Sequence, residues 1–189
     1  MTTRNLEALL TPRSVALIGA SPTPGSVGNI VARNLLRAGF SGPIHFVNPK
    51  HPRVEDQVCA TSVREIDGVP DLAIVATPPD TVPSIIAELG AKGVRAAVVI
   101  TAGLTAEQKI AVLNAARPRC LRVQGPNCLG IMLPQIGLDA SFSHRAPLSG
   151  DLAFLSQSGA LITSIVDWAA SRGIGFSHVV SLGDMLDVD

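Results

Sequence analysis

The 189 residues suffice for one packed α/β domain and the beginning of another. With 47% hydrophobic and 16% charged residues, and 15 basic residues against 15 acidic ones, the chain is neither disordered nor built to coat a polyanion. Aromatics at 3%, without a tyrosine, offer little for stacking bases, and no apolar run reaches the length of a bilayer span, so nucleic-acid and membrane partners are excluded.

The start, MTTRNLEALL, lacks a signal-peptide core, and Cys59, Cys120 and Cys128 show no metal-binding spacing. The expectation is a cytoplasmic protein with reduced thiols and no metal. Leu6 to Leu10 reads as a short amphipathic lead-in. Ser14 to Ile18 is a continuous apolar run ending at Gly19, the pattern of a strand buried on both faces. A Gly/Pro/Ser loop from Ser21 to Gly28 leads into a helical period through Ile30, Val31, Leu35 and Leu36 that stops at Gly39. A second strand, Ile44 to Val47, ends at Asn48-Pro49-Lys50. After a turn-rich stretch come a strand at Leu72 to Ala76, a helix at Thr81 to Leu89, a strand at Ala96 to Ile100, a helix at Ala106 to Ala116 and a short strand at Leu121 to Val123. This alternation predicts an α/β fold, a Rossmann-type doubly wound parallel sheet over residues 1–125.

Residues 126–150, rich in Pro and Gly, read as a connector. The pattern restarts with a strand at Leu152 to Leu155, a helix at Gly159 to Ala170 and a strand at Val179 to Leu182. A lone βαβ unit of about forty residues cannot close a core, so residues 151–189 read as the truncated start of a second α/β domain. A fragment or half of a split protein is expected. Its exposed sheet edge makes a homodimer one expectation.

The loop Gly19, Ala20, Ser21, Pro22, Thr23, Pro24, Gly25 lies between a strand and a helix, where free N–H groups and a positive dipole end can meet a diphosphate. It departs from G-x-G-x-x-G, and a glycine-rich turn without ligand is the plainer alternative. Where an NAD domain wants an acidic residue, the second strand ends in Asn48-Pro49-Lys50. Lys50 suits a ribose phosphate, the 2′-phosphate of NADP or the 3′-phosphate of coenzyme A, unless it is simply solvated. Thr77-Pro78-Pro79 and Ile100-Thr101-Ala102 follow the next two strands, on the carboxyl edge that binds ligands in such sheets.

In order, GAS…PGSVGN, VNPK, DLAIVATPP, VVITAG, GPNCLG and AFLSQSGAL resemble the NDP-forming acyl-CoA synthetases, including ADP-forming acetate–CoA ligases and, more distantly, the α subunit of succinyl-CoA synthetase. The closing run GFSHVVSLGDMLDVD resembles bacterial members fused to a GNAT-type acetyltransferase domain. The resemblance implies a Rossmann-type domain for coenzyme A or acetyl-CoA, a flavodoxin-like second domain, and an ATP-grasp synthetase domain or subunit as partner. It also implies that Ser21 to Gly25 hold the diphosphate, Lys50 the 3′-phosphate, Thr77 to Pro79 the nucleotide and Ile100 to Ala102 the pantetheine. Ser156, Ser158 and Gly159 would then form a phosphate site at a helix N-terminus, although Ser156 or Ser158 as an ordinary N-cap uses the same N–H groups. The family's catalytic histidine is expected beyond Asp189, leaving no catalytic residue here. The whole then reads as the coenzyme A-binding portion of an acyl-CoA synthetase. A CoA-sensing regulatory region of a GNAT-type lysine acetyltransferase and an NADP-binding oxidoreductase domain are the alternatives.

Other candidates are set aside. His45, His51, His144 and His178 have no acidic neighbour at triad-like spacing. Ser156-Gln157-Ser158-Gly159 lacks the first glycine of a nucleophile elbow. Cys128 has no evident base and reads as a small buried side chain. Asp184, Asp187 and Asp189 resemble a cation loop too loosely to imply a metal.

Overall fold

The computed structural model describes residues 3–189. Met1 and Thr2, at the start of the amino-terminal reading, lie outside the described residues. After a short helix α1 (Leu6–Leu10), the chain alternates β1 (Val15–Ile18), α2 (Val27–Arg37), β2 (Ile44–Val47), a hairpin of β3 (Arg53–Val54) and β4 (Gln57–Ala60), β5 (Leu72–Val75), α3 (Val82–Lys92), β6 (Ala96–Val99), α4 (Ala106–Ala116) and β7 (Arg122–Gln124). These strands form one sheet in the order β3-β4-β2-β1-β5-β6-β7, parallel throughout except for the β3–β4 pair. The doubly wound architecture expected from the alternation is therefore present.

Every residue of β1, β5 and β6 is buried, because helices cover both faces. Val31 and Leu35 of α2 pack with Leu17, Leu72 and Ile74 on one face, while Ile86 and Leu89 of α3 and Val112 of α4 pack with Ala16, Val75 and Val99 on the other. Among the described residues no helix is long and apolar enough to cross a membrane.

Two segments differ from the sequence reading. The turn-rich stretch after Lys50 contains the β3–β4 hairpin, and the connector at 126–150 contains two buried strands, β8 (Gly130–Leu133) and β9 (Leu138–Ser141). They pair antiparallel and join β10 (Ser149–Ser156) and β11 (Phe176–Ser181) in a second sheet ordered β10-β11-β8-β9, with α5 (Gly159–Ala170) between β10 and β11. The physical reason is plain. Pro126, Pro134 and Gly137 bound the strands as turn residues do, whereas Ile131, Leu133, Leu138 and Ala140 bury themselves against α2 and its sheet. This hairpin supplies the apolar surface that the βαβ unit lacks alone. Strand β10 is left at the edge, with Leu152 and Leu155 more than half exposed.

Candidate functional site

The first βα turn is built by close approach. Gly19 has φ +95°, and a Cβ there would lie 2.4 Å from the carbonyl oxygen of Ala76. Gly28, in the first turn of α2, sits so near that a Cβ would fall 2.0 Å from the oxygen of Gly19. Glycine at both places lets the helix N-terminus seat against the end of β1. Between them Ser26 caps α2 by accepting from the Asn29 N–H at 3.3 Å, and its hydroxyl donates to the oxygen of Thr23 at 2.8 Å. Pro22, Thr23, Pro24 and Gly25 are exposed, while Ser21 is half-buried and accepts from the Thr23 N–H at 3.1 Å. The amide of Asn29 donates both to the oxygen of Ser21 and to the Glu55 carboxylate from the β3–β4 turn, each at 3.0 Å.

Asn48, read in the sequence as a ligand contact, also has a structural task. Its Nδ2 donates to the oxygen of Ala20 at 2.6 Å, and its Oδ1 accepts from the N–H groups of Lys50 (2.7 Å) and His51 (3.1 Å). The side chain clamps the end of β2 to the glycine loop and fixes the backbone that presents Lys50. Lys50 itself is exposed, with no ion pair among the described residues.

Two clefts open along the carboxyl edge of the first sheet. The first, about 460 Å³, brings together Gly19, Asn48, Lys50, Thr77 and Pro78. Its apolar walls come from Ile18, Val47, Val63 and Ile85, with Glu88 at one side. The second, about 410 Å³, is lined by Ile100, Thr101 and Ala102 and reaches Gly159 at the start of α5. Ala76 and Thr77 line both, so the two clefts adjoin there as a trough of two parts. Thr77 is fixed there: its hydroxyl is bonded by that of Thr81 at 2.9 Å, and its carbonyl accepts from the Thr101 hydroxyl at 2.7 Å. Ser21 to Gly25, Pro79, Ser156 and Ser158 do not line either cleft. Sequence reasoning missed Val63, Ile85 and Glu88 in the first cleft and Phe142 in the second, which come from elements remote in the chain and which no local motif marks. It also passed over Leu129, although the GPNCLG run contains it.

At the far end, Ser158 caps α5, accepting from the Leu161 N–H at 3.2 Å, and its own N–H donates to Ser156 Oγ at 3.1 Å. The N-cap role is thus real, and a Cβ at Gly159 would fall 3.2 Å from Leu129 Cβ. Cys128 lines the trough, but burial pushes its thiol up to about 12, so it is no nucleophile at neutral pH. Two of the three tail aspartates are paired with cations: Asp184 meets Lys109 at 2.7 Å and Asp187 meets Arg122 at 2.8 Å. No cluster that could hold a metal occurs among the described residues. His144 does have an acidic neighbour after all, Asp167 at 2.9 Å, brought from α5 by the fold.

Residues 13–134 match the model of a family described as CoA binding domain, and residues 149–189 that of a succinyl-CoA ligase like flavodoxin domain. The acetate–CoA ligase [ADP-forming] I of Archaeoglobus fulgidus is 42% identical over 97% of this chain and 27% of its own length. The acetate–CoA ligase [ADP-forming] I subunit alpha of Pyrococcus furiosus is 36% identical over 98% of this chain and 42% of its own. Among solved structures, a dinucleotide forming acetyl-coenzyme A synthetase 1 of Ca. Korarchaeum cryptofilum, in complex with phosphate and ADP, superposes with a TM-score of 0.93 at 35% identity, over 97% of this chain and 40% of that one. The chain thus spans between a quarter and a half of the length of these relatives.

Proposed function

Because the chain belongs to the CoA-binding domain family, we propose that its trough holds coenzyme A or acetyl-CoA as the coenzyme-binding portion of an ADP-forming acid–CoA ligase. The observation that carries this reading is the shape of the site: two clefts sharing Ala76 and Thr77 run from Lys50 to the N-terminus of α5. An elongated ligand with an anionic nucleotide end and a slender amide arm fits that course. A compact ligand does not need it.

The residues suit such a ligand chemically. Ile18, Val47, Val63 and Ile85 offer apolar contact to a purine base. Lys50, an exposed cation without an ion pair among the described residues, would meet the ribose 3′-phosphate, and Asn48 would act by holding the Lys50 backbone. Ser21 to Gly25 and the amides at the start of α2 would face the diphosphate, near which Glu55 also sits, held by Asn29. Thr77, Pro78 and Pro79 would flank the nucleotide, and Ile100, Thr101 and Ala102 would steer the arm toward Gly159. Once bound, coenzyme A supplies a thiol that carries an acyl group as a thioester. What the chain itself contributes is orientation of that thiol end toward α5, whose capped start at Ser156 and Ser158 is our candidate phosphate site. Residues 1–125 would be the coenzyme-binding body and 151–189 the start of the flavodoxin-like unit, in a cytoplasmic protein served by an ATP-grasp domain or subunit. Exposed Leu152 and Leu155 on the edge strand β10 are consistent with further protein covering that edge, including a second copy in a homodimer. The relatives lend nothing to the acetyltransferase-associated or NADP readings.

Titration calorimetry with coenzyme A, dephospho-coenzyme A and NADP tests this reading. Coenzyme A is expected to bind best. Lys50→Ala should weaken it by about 1 to 3 kcal/mol while leaving the dephospho form unchanged. Equal affinity for both coenzyme forms removes Lys50 from the role, and preference for NADP refutes the assignment.

A further inference from the structure

Beside the trough, and sharing Phe142 with it, α2 and the loop after β9 line an open depression of about 280 Å³. Arg33 and Arg37 line it from α2, one helical turn apart, and His144 lines it from the loop. Neither arginine makes an ion pair or hydrogen bond among the described residues. Like charges four residues apart on a helix repel, a cost relieved when an anion bridges them. The carboxylate beside this cluster, Asp167, is already engaged by His144 Nε2 at 2.9 Å and Arg145 Nε at 2.8 Å.

The walls of the depression are held in place. Asn34, between the two arginines on α2, donates through Nδ2 to the carbonyl oxygens of Ser141 and Ser143, each at 2.9 Å. That amide ties the loop bearing His144 to the helix bearing the arginines. Asp167 fixes the same imidazole from α5, leaving its Nδ1 without a protein partner among the described residues. The backbones that present three basic groups around one space are therefore fixed before any ligand arrives.

We propose that Arg33, Arg37 and His144 form an anion site for a phosphate group, distinct from the coenzyme trough. A carboxylate is satisfied by one guanidinium fork, whereas groups converging from a helix and a facing loop suit a tetrahedral dianion with oxygens in several directions. This inference does not depend on the coenzyme A reading.

The test titrates inorganic phosphate, pyrophosphate and acetate into the chain by calorimetry, with coenzyme A present in excess so that any phosphate subsites of the trough are filled. Phosphate or pyrophosphate binding that depends on the two arginines is expected, separable from any binding at the start of α5, with acetate much weaker. Arg33→Ala and Arg37→Ala should each weaken binding roughly tenfold, and Arg33→Lys should recover part of the loss. Arg117→Ala, an exposed arginine after α4 and outside this depression, should leave it unchanged. Both arginines are exposed, so coenzyme A titration of the same variants reports intact folding. Absence of phosphate binding, binding untouched by the arginine substitutions, or acetate binding as tightly as phosphate would each overturn the proposal. If coenzyme A itself fails to bind, the phosphate titrations are run without it, and the arginine variants decide the matter in the same way.

Discussion

Asp139 carries a measurable penalty for being ionised, and Asp139→Asn should remove it. The side chain is 4% exposed on β9, where the Ser141 hydroxyl donates to it at 2.6 Å and the Ser141 backbone also favours its ionised form. Burial outweighs both and raises the carboxyl from 3.8 to about 6. A displacement of this size corresponds to roughly 3 kcal/mol. The folded chain keeps this proton to higher pH than the unfolded chain does. The folded state therefore binds more protons between those two values, and stability falls as pH rises through that window. Asparagine is nearly isosteric, does not titrate, and can still accept from Ser141. Urea unfolding of both proteins from about pH 4 to about pH 8 should show the variant gaining on the parent by about 3 kcal/mol across the interval, with no further gain above it. A stability difference that stays constant over the whole range would refute the claim that Asp139 is buried at an electrostatic cost.

Gly28→Ala should destabilise the fold by about 2 kcal/mol or more, even though alanine is the better helix former by about 1 kcal/mol, because its Cβ would press on the oxygen of Gly19. Thermal melts of that variant beside Gly25→Ala check the reasoning, since a Cβ at Gly25 meets nothing within 4 Å and only its φ of +78° opposes the change. Iodoacetamide at mildly alkaline pH should label Cys120, which is only half-buried, and spare Cys128 until the chain is unfolded. Peptide mapping before and after denaturant reads this directly, and rapid native labelling of Cys128 contradicts its burial.

The first sheet was legible in the sequence because its central strands must be apolar on both faces. The runs around Val15 to Ile18, Leu72 to Val75 and Ala96 to Val99 are continuous for that reason. Strands β8 and β9 were not legible. Gly130, at φ +121°, and the turn residues on either side disguise two short segments whose burial is created by α2, about a hundred residues earlier in the chain. The trough shows the same division. Lys50, Thr77 and Thr101 stand at strand ends, where the topology rule puts ligand contacts, and they do line it. Asn48 lines it too, while its amide also bonds the backbone of Ala20, Lys50 and His51. Which partner an amide chooses depends on a loop nearly thirty residues away. Val63, Ile85 and Phe142 are ordinary apolar residues until the fold points them at a common space.

What turns two sheets into one site is a set of amides crossing between them. Gln124, fully buried at the end of β7, donates to the oxygen of Gly130 at 3.1 Å and to that of Ser181 at 2.7 Å. Asn34 makes the two bonds from α2 to the segment after β9. Returning along β7, the N–H groups of Leu186 and Val188 donate to Gly125 and Val123 at 3.0 and 3.1 Å. Each such bond contributes only about 1 kcal/mol net, but breaking one leaves a buried polar group unmatched, which costs more than the bond gains. A hinge between the sheets would have to break several together. The distance from Thr101 to the start of α5 is therefore fixed by the fold rather than by a ligand, and the trough is better suited to selecting a ligand for its length than to closing around whatever enters.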